Sequence, residues 1–189
     1  MKPSLLTFAL AATFCLTLVS AQSRHSSRNA ACSSAASTFN LGDGAPEIGV
    51  LYCGAPAGAR NTGELRAYGS VSVASNNVNL VVTGIPANSV GFFIVGEVRA
   101  FVPNPAQSQG DLCVGGRIGR FNGPGQIMNS GAGGFYNLQL DLNQFPMNPW
   151  RAVTAGETWC FQSWYRMPLP PVLDNSDSDF TNAIEIAFL

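Results

Sequence analysis

Apolar and polar residues alternate one by one along most of this sequence, and the helical period of three to four is almost absent. Tyr136, Leu138, Leu140 and Leu142 alternate with Asn137, Gln139 and Asp141. Val78, Leu80 and Val82 alternate with polar or smaller neighbours, and Ile184, Ile186 and Phe188 with Ala183, Glu185 and Ala187. A strand sends successive side chains to opposite faces, so these segments predict strands with one buried face. Residues 90–102 are apolar on both faces, as a central strand would be. Turn residues punctuate the runs at Ser75-Asn76-Asn77, Ile85-Pro86-Ala87-Asn88, Pro103-Asn104-Pro105, Asn122-Gly123-Pro124-Gly125 and 131–134. The pattern predicts seven or eight strands, near 65–73, 78–83, 90–102, 112–121, 136–142, 157–166 and 181–188. Such an all-β chain folds as an antiparallel β-sandwich, a jelly roll being one arrangement of it.

The N-terminus reads differently. Lys2 precedes an apolar run from Leu5 to Val19, and Val19-Ser20-Ala21 supplies the small-x-small pattern of a cleavage site. Residues 1–21 are therefore expected to be a signal peptide, and the run is short of the roughly 20 residues that span a bilayer. Phe14 before Cys15 is too bulky for a lipoprotein signal. Residues 22–45 read as a flexible N-terminal segment and 46–189 as a single β-sandwich domain. No second apolar run of that length follows, so no transmembrane segment is expected after cleavage. The expected location is extracellular or at the cell surface.

Charge and scarce residue types restrict the chemistry. Charged residues make up 11% of the chain and the formal net charge is -1, so no basic field is available to hold nucleic acid. Cleavage would remove the only lysine, Lys2, and leave His25 as the only histidine. A serine or cysteine hydrolase needs a histidine near its nucleophile, and a Schiff-base enzyme needs a lysine. His25 lies in the N-terminal segment, so neither mechanism is expected. Four cysteines remain after cleavage, Cys32, Cys53, Cys113 and Cys160. Their wide spacing does not match zinc, and in an exported chain four cysteines read as two disulfides with three possible connectivities.

A carboxylate pair is the remaining catalytic option. Glu97, Asp111, Asp141 and Glu157 are the acids nearest the strands, and each reads first as a surface or structural acid. Glu97 and Arg99, two apart on one strand, are expected to pair. The dense cluster at Asp174, Asp177 and Asp179 has the oxygen chemistry of a structural calcium site, although it lacks the glycine and terminal glutamate of an EF-hand. Otherwise no cofactor is expected. Along 157–166, Trp159, Phe161 and Tyr165 point one way and Cys160, Trp164 and Arg166 the other. One face must be core. The other is a candidate stacking platform for a sugar ring, with Gln162 and Arg166 as hydrogen-bonding partners and Trp150 as a further aromatic. The glycine-rich stretches 114–119 and 131–134 lack the lysine and the helix of a phosphate loop, and read as turns and close strand packing.

Several short runs share a wider likeness: Tyr52-Cys53-Gly54, Gly84-Ile85-Pro86-Ala87-Asn88-Ser89-Val90-Gly91-Phe92-Phe93 and Gly110-Asp111-Leu112-Cys113-Val114-Gly115-Gly116-Arg117-Ile118-Gly119-Arg120 are three of them. Gly156-Glu157-Thr158-Trp159-Cys160-Phe161-Gln162-Ser163-Trp164-Tyr165-Arg166 and Asp179-Phe180-Thr181-Asn182-Ala183-Ile184 complete the set. Together they resemble an uncharacterised domain that recurs in secreted proteins of planctomycete bacteria, often at the C-terminal end of larger chains. The resemblance implies export and a β-rich module, and no catalysis. It also implies that Cys53 pairs with Cys113, which leaves Cys32 for Cys160. A Cys53–Cys113 bridge would close a loop of about 60 residues and stabilise by roughly 4 kcal/mol. The expected function is therefore a non-catalytic binding or structural module at the cell surface or in the extracellular matrix. Its expected partner is envelope or extracellular polysaccharide or protein. Alternatives are a carbohydrate-binding module and, behind it, a carboxylate-based polysaccharide hydrolase or lyase.

Overall fold

The computed structural model describes residues 44–54, 63–166 and 178–189. The expected signal peptide, His25, Cys32, Asp174 and Asp177 lie outside the described residues. The described strands are β1 (Glu47–Ile48), β2 (Val50–Tyr52), β3 (Glu64–Gly69), β4 (Val78–Thr83), β5 (Val90–Val102), β6 (Leu112–Phe121), β7 (Met128–Asn129), β8 (Tyr136–Gln139), β9 (Thr158–Arg166) and β10 (Ser178–Ala187). They form two antiparallel sheets, a four-stranded one in the order β1-β3-β4-β8 and a six-stranded one in the order β2-β10-β9-β5-β6, with β7 pairing β5.

The β-sandwich predicted from periodicity is what forms. Leu65, Leu80, Val82 and Tyr136 of the four-stranded sheet meet Phe93, Val95, Phe161, Tyr165, Ile184 and Ile186 of the six-stranded sheet in one buried cluster. Phe145, from the loop after β8, is fully buried and meets Phe121, Trp159 and Phe161 edge to face at centroid distances of 5.2–5.9 Å. Asn182 also joins the sheets, because its amide exchanges two hydrogen bonds (2.7 and 3.0 Å) with the backbone of Leu65, as a paired strand would. β3–β4, β5–β6 and β9–β10 are chain neighbours within a sheet, so hairpins thread the fold rather than the sheet-to-sheet alternation of a jelly roll.

The differences from expectation are local. β3 stops at Gly69, whose positive φ of 121° turns the chain. β8 stops at Gln139, and Asp141 then caps a turn by accepting from the Asn143 N–H. β1, β2 and β7 span two or three residues each, too few to show a period. The predicted turns use Asn76, Asn88 and Asn104 in left-handed conformations.

β5 is a central strand only over its first half. Register shifts between Gly96 and Val98 and between Arg99 and Val102 bend the β5–β6 hairpin. Its far end is folded across the outer face of β9 and β10. The Gln109 N–H donates to the Ser178 carbonyl at 2.9 Å, and Cys113 is bridged to Cys53 beside β2, as the resemblance implied. Val98, Phe101 and Val102 on that end are exposed. The bend also corrects the expected Glu97–Arg99 pair. Glu97 instead binds Arg117 on β6, at 2.6 and 2.9 Å, and Arg99 binds Glu185 on β10 through two hydrogen bonds of 2.8 Å.

Phe145→Ala removes the ring on which three other aromatics converge. It is expected to cost about 3–5 kcal/mol of stability, read as a lower urea midpoint with an unchanged denaturant slope. A loss below about 1 kcal/mol would contradict this assignment of the core.

Candidate functional site

β9 serves two clusters. Trp159, Phe161 and Tyr165 lie in the main core, as expected. Cys160 and Trp164 face outward with Ile94, Val114, Phe92, Leu112, Phe180 and Tyr52. The folded-back hairpin covers only part of this second cluster. The uncovered part is a cleft of about 440 Å³, within the range of small-ligand sites. Phe92, Ile94, Trp164 and Phe180 come from the sheet, Pro105, Ala106 and Leu112 from the hairpin tip, and Arg120, Arg166 and Ser178 supply polar groups. Among the described lining residues there is no carboxylate.

Trp164 is not the flat open platform that alternation suggested. Its ring leans on Phe92 with centroids 5.1 Å apart, and the Arg166 guanidinium lies 5.9 Å from its centroid. It forms part of a cleft wall.

Gln162 corrects a second expectation. It is fully buried, and its amide is wholly engaged with backbone. Its Oε1 accepts from the Cys113 N–H at 2.8 Å, and its Nε2 donates to the Asp111 and Thr181 carbonyls, each at 2.8 Å. Both amide hydrogens are spent and the side chain is fully buried, so it does not face a ligand. It holds the base of the hairpin tip onto β9 and β10. Gly110 fits there because the Asp179 carboxylate occupies the space a Cβ would need.

Trp150 lies elsewhere. It is 60% exposed and lines a separate pocket of about 250 Å³. Of the four residues expected to bind ligand, only Trp164 and Arg166 share a site. Phe92, Leu112, Arg120 and Phe180 were not anticipated. Strand alternation places Phe92 opposite Phe93 and so on the outer face, but only the hairpin's return brings Leu112 and Arg120 to the same cleft.

The acids are committed. Hydrogen bonds from Arg117 hold the Glu97 carboxyl below the usual range, and those from Arg99 do the same for Glu185. The Asn143 backbone N–H lowers Asp141. Burial raises Glu157, but donors from Thr154, Trp159 and Arg151 outweigh it and the net shift is downward. Asp179, the described member of the expected calcium cluster, is 4% exposed and accepts from the Tyr165 hydroxyl at 3.1 Å and the Phe180 N–H at 2.7 Å. Burial pushes Tyr165 upward, and the neighbouring Asp179 carboxylate adds to it, so the phenol stays protonated. Among the described residues no three of His, Cys, Asp and Glu form a metal-binding group. Cys160 is a buried free thiol 3.9 Å from the Glu185 carboxylate, and its expected partner Cys32 lies outside the described residues. Burial raises its pKa, which keeps it a thiol.

No family model, curated protein or solved structure matches this chain.

Carboxylates with depressed folded-state pKa values stabilise above the ordinary carboxylate range, and that contribution is lost as pH falls through the folded values. The urea midpoint is expected to hold from pH 7 to about 5 and to fall below about pH 4. A midpoint that rises on acidification would contradict the pairings of Glu97, Asp141, Glu157 and Glu185.

Gln162→Ala strands one buried donor and two acceptors. It is expected to cost on the order of 3 kcal/mol and to accelerate hydrogen exchange at the Cys113 amide. Wild-type exchange at that amide would mean the side chain does not anchor the hairpin.

Proposed function

We propose that this protein is a secreted, non-catalytic binding module that seats an extracellular ligand in the outer-face cleft. One observation carries the reading. Aromatic and aliphatic side chains surround an accessible volume of about 440 Å³, with the guanidinium groups of Arg120 and Arg166 on its lining and no carboxylate among its described residues. That composition favours a ligand with an apolar face and negative charge, such as an acidic polysaccharide of the envelope or matrix. An acidic glycan offers both: ring C–H groups for the aromatic walls and carboxylates for the arginines.

The state of the acids supports the non-catalytic half. A glycosidase needs one carboxylic acid with a raised pKa to protonate the leaving group. Glu97, Asp141, Glu157 and Glu185 are all shifted the other way, and Glu97, Glu157 and Glu185 each hold an arginine.

The test is co-sedimentation of the purified protein with insoluble pectate and with isolated cell envelopes. Wild-type protein is expected to sediment and to be released by salt, since exposed charge pairs are screened within about 10 Å at 0.1 M. Arg120→Ala and Phe180→Ala are each expected to weaken retention about tenfold. Retention unchanged in both variants would remove the cleft as the binding site.

A further inference from the structure

The second pocket lies where the edge strands of the two sheets come together, β6 from the six-stranded sheet and β8 from the four-stranded sheet. Its lining includes buried Phe121, half-buried Gln126 and four exposed side chains, Trp150, Gln139, Asp141 and Gln144. We infer that this pocket binds a single neutral sugar ring of a polysaccharide, with Trp150 stacking on the ring and Gln139, Gln144 and Asp141 holding its hydroxyls.

Trp150 is the centre of the pocket's chemistry. A large aromatic 60% exposed leaves much apolar surface in water, and among the described residues no other ring packs against it. A pyranose presents C–H groups on its faces and hydroxyls around its rim, which matches an indole face bordered by polar groups. The polar groups are of the right kind. Both Gln139 and Gln144 are exposed at the pocket, and among the described residues neither side-chain amide is engaged, so each offers both donors and an acceptor. Asp141 accepts all three of its side-chain hydrogen bonds at Oδ1, from Asn76 and twice from Asn143. Its Oδ2 is left to accept from a ligand hydroxyl. Those same bonds fix the carboxylate before any ligand arrives, which lowers the ordering cost of binding.

Charge and size narrow the class. Its described lining residues include one carboxylate and no cationic side chain, a set that disfavours uronates and sulfated sugars. This is the reverse of the outer-face cleft, with its two arginines. A volume of about 250 Å³ lies below that of sites for drug-sized ligands and suits one ring with its neighbours extending into solvent. The site stands independently of the outer-face cleft.

The test is calorimetric titration of the purified protein with cellohexaose, mannohexaose, xylohexaose and chitohexaose, beside oligogalacturonate. At least one neutral oligosaccharide is expected to bind. Trp150→Ala is expected to weaken that binding at least tenfold, and Gln144→Ala several-fold, in proteins whose thermal midpoints match the wild type. Phe101→Ala, an exposed aromatic outside both pockets, is expected to bind as the wild type does. Failure to bind all four neutral probes would overturn the inference. So would wild-type affinity in Trp150→Ala. Oligogalacturonate reports on the cleft, so its failure would count against the module's proposed ligand and leave a neutral-sugar result standing.

Discussion

The buried amide of Gln162 is the contact on which the outer half of the molecule depends. It sits on the outward face of β9 and bonds three backbone groups, at Asp111, Cys113 and Thr181. Two of those belong to the returning β5–β6 hairpin and one to β10. A buried donor or acceptor left unmade costs about 1–3 kcal/mol, so removing the hairpin from this position would strand groups on both sides of the contact. The Cys53–Cys113 bridge, the Tyr52 hydroxyl on the Cys113 carbonyl and the Arg99–Glu185 pair fasten the same region. The far end of the hairpin is thus tied down by several bonds of different kinds.

This fastening explains why a two-sheet sandwich carries apolar residues on a third surface. The main core lies between the sheets, as sandwich packing requires. The outward face of the six-stranded sheet would be solvated in a simple sandwich, yet it carries Ile94, Cys160, Trp164 and Phe180. The hairpin tip covers some of them and leaves the cleft beside the rest. Cleft and fastening are therefore one construction. The distribution of charge follows a similar division. Arg66, Arg99, Arg117 and Arg151 are paired with carboxylates, so each neutralises an acid within the fold. Arg120 lines the cleft, where the Arg166 guanidinium lies 5.9 Å from the Trp164 ring.

Much of the sandwich was legible residue by residue. β4, β5 and β6 begin and end where the alternation and turn residues place them. The split of β9 into Trp159, Phe161 and Tyr165 on one side and Cys160 and Trp164 on the other is the one that parity requires. Gln162 shows the limit. Parity puts it on the outward face, where a glutamine reads as a solvated or ligand-binding group. Its burial depends on Asp111 and Cys113, some fifty residues earlier in the chain, arriving above it. Glu97 and Arg99 show a second limit, since each meets its partner on another strand, Arg117 on β6 and Glu185 on β10. Trp150 and Trp164 show a third, since aromatic type says nothing about whether two rings share a pocket.

Residue order along the chain sets the all-β class, the inward and outward faces of the longer strands and the placing of the turns. Those properties are local: alternation and turn chemistry act within a few residues, and burying one face of each strand is enough to require a second sheet. Tertiary structure alone decided which outward residues became buried, which acids met which arginines, and where two pockets opened. Those outcomes depend on a bent hairpin crossing a sheet and on two edge strands meeting. Both bring together residues far apart in the chain, whose spacing in sequence carries no record of the contact.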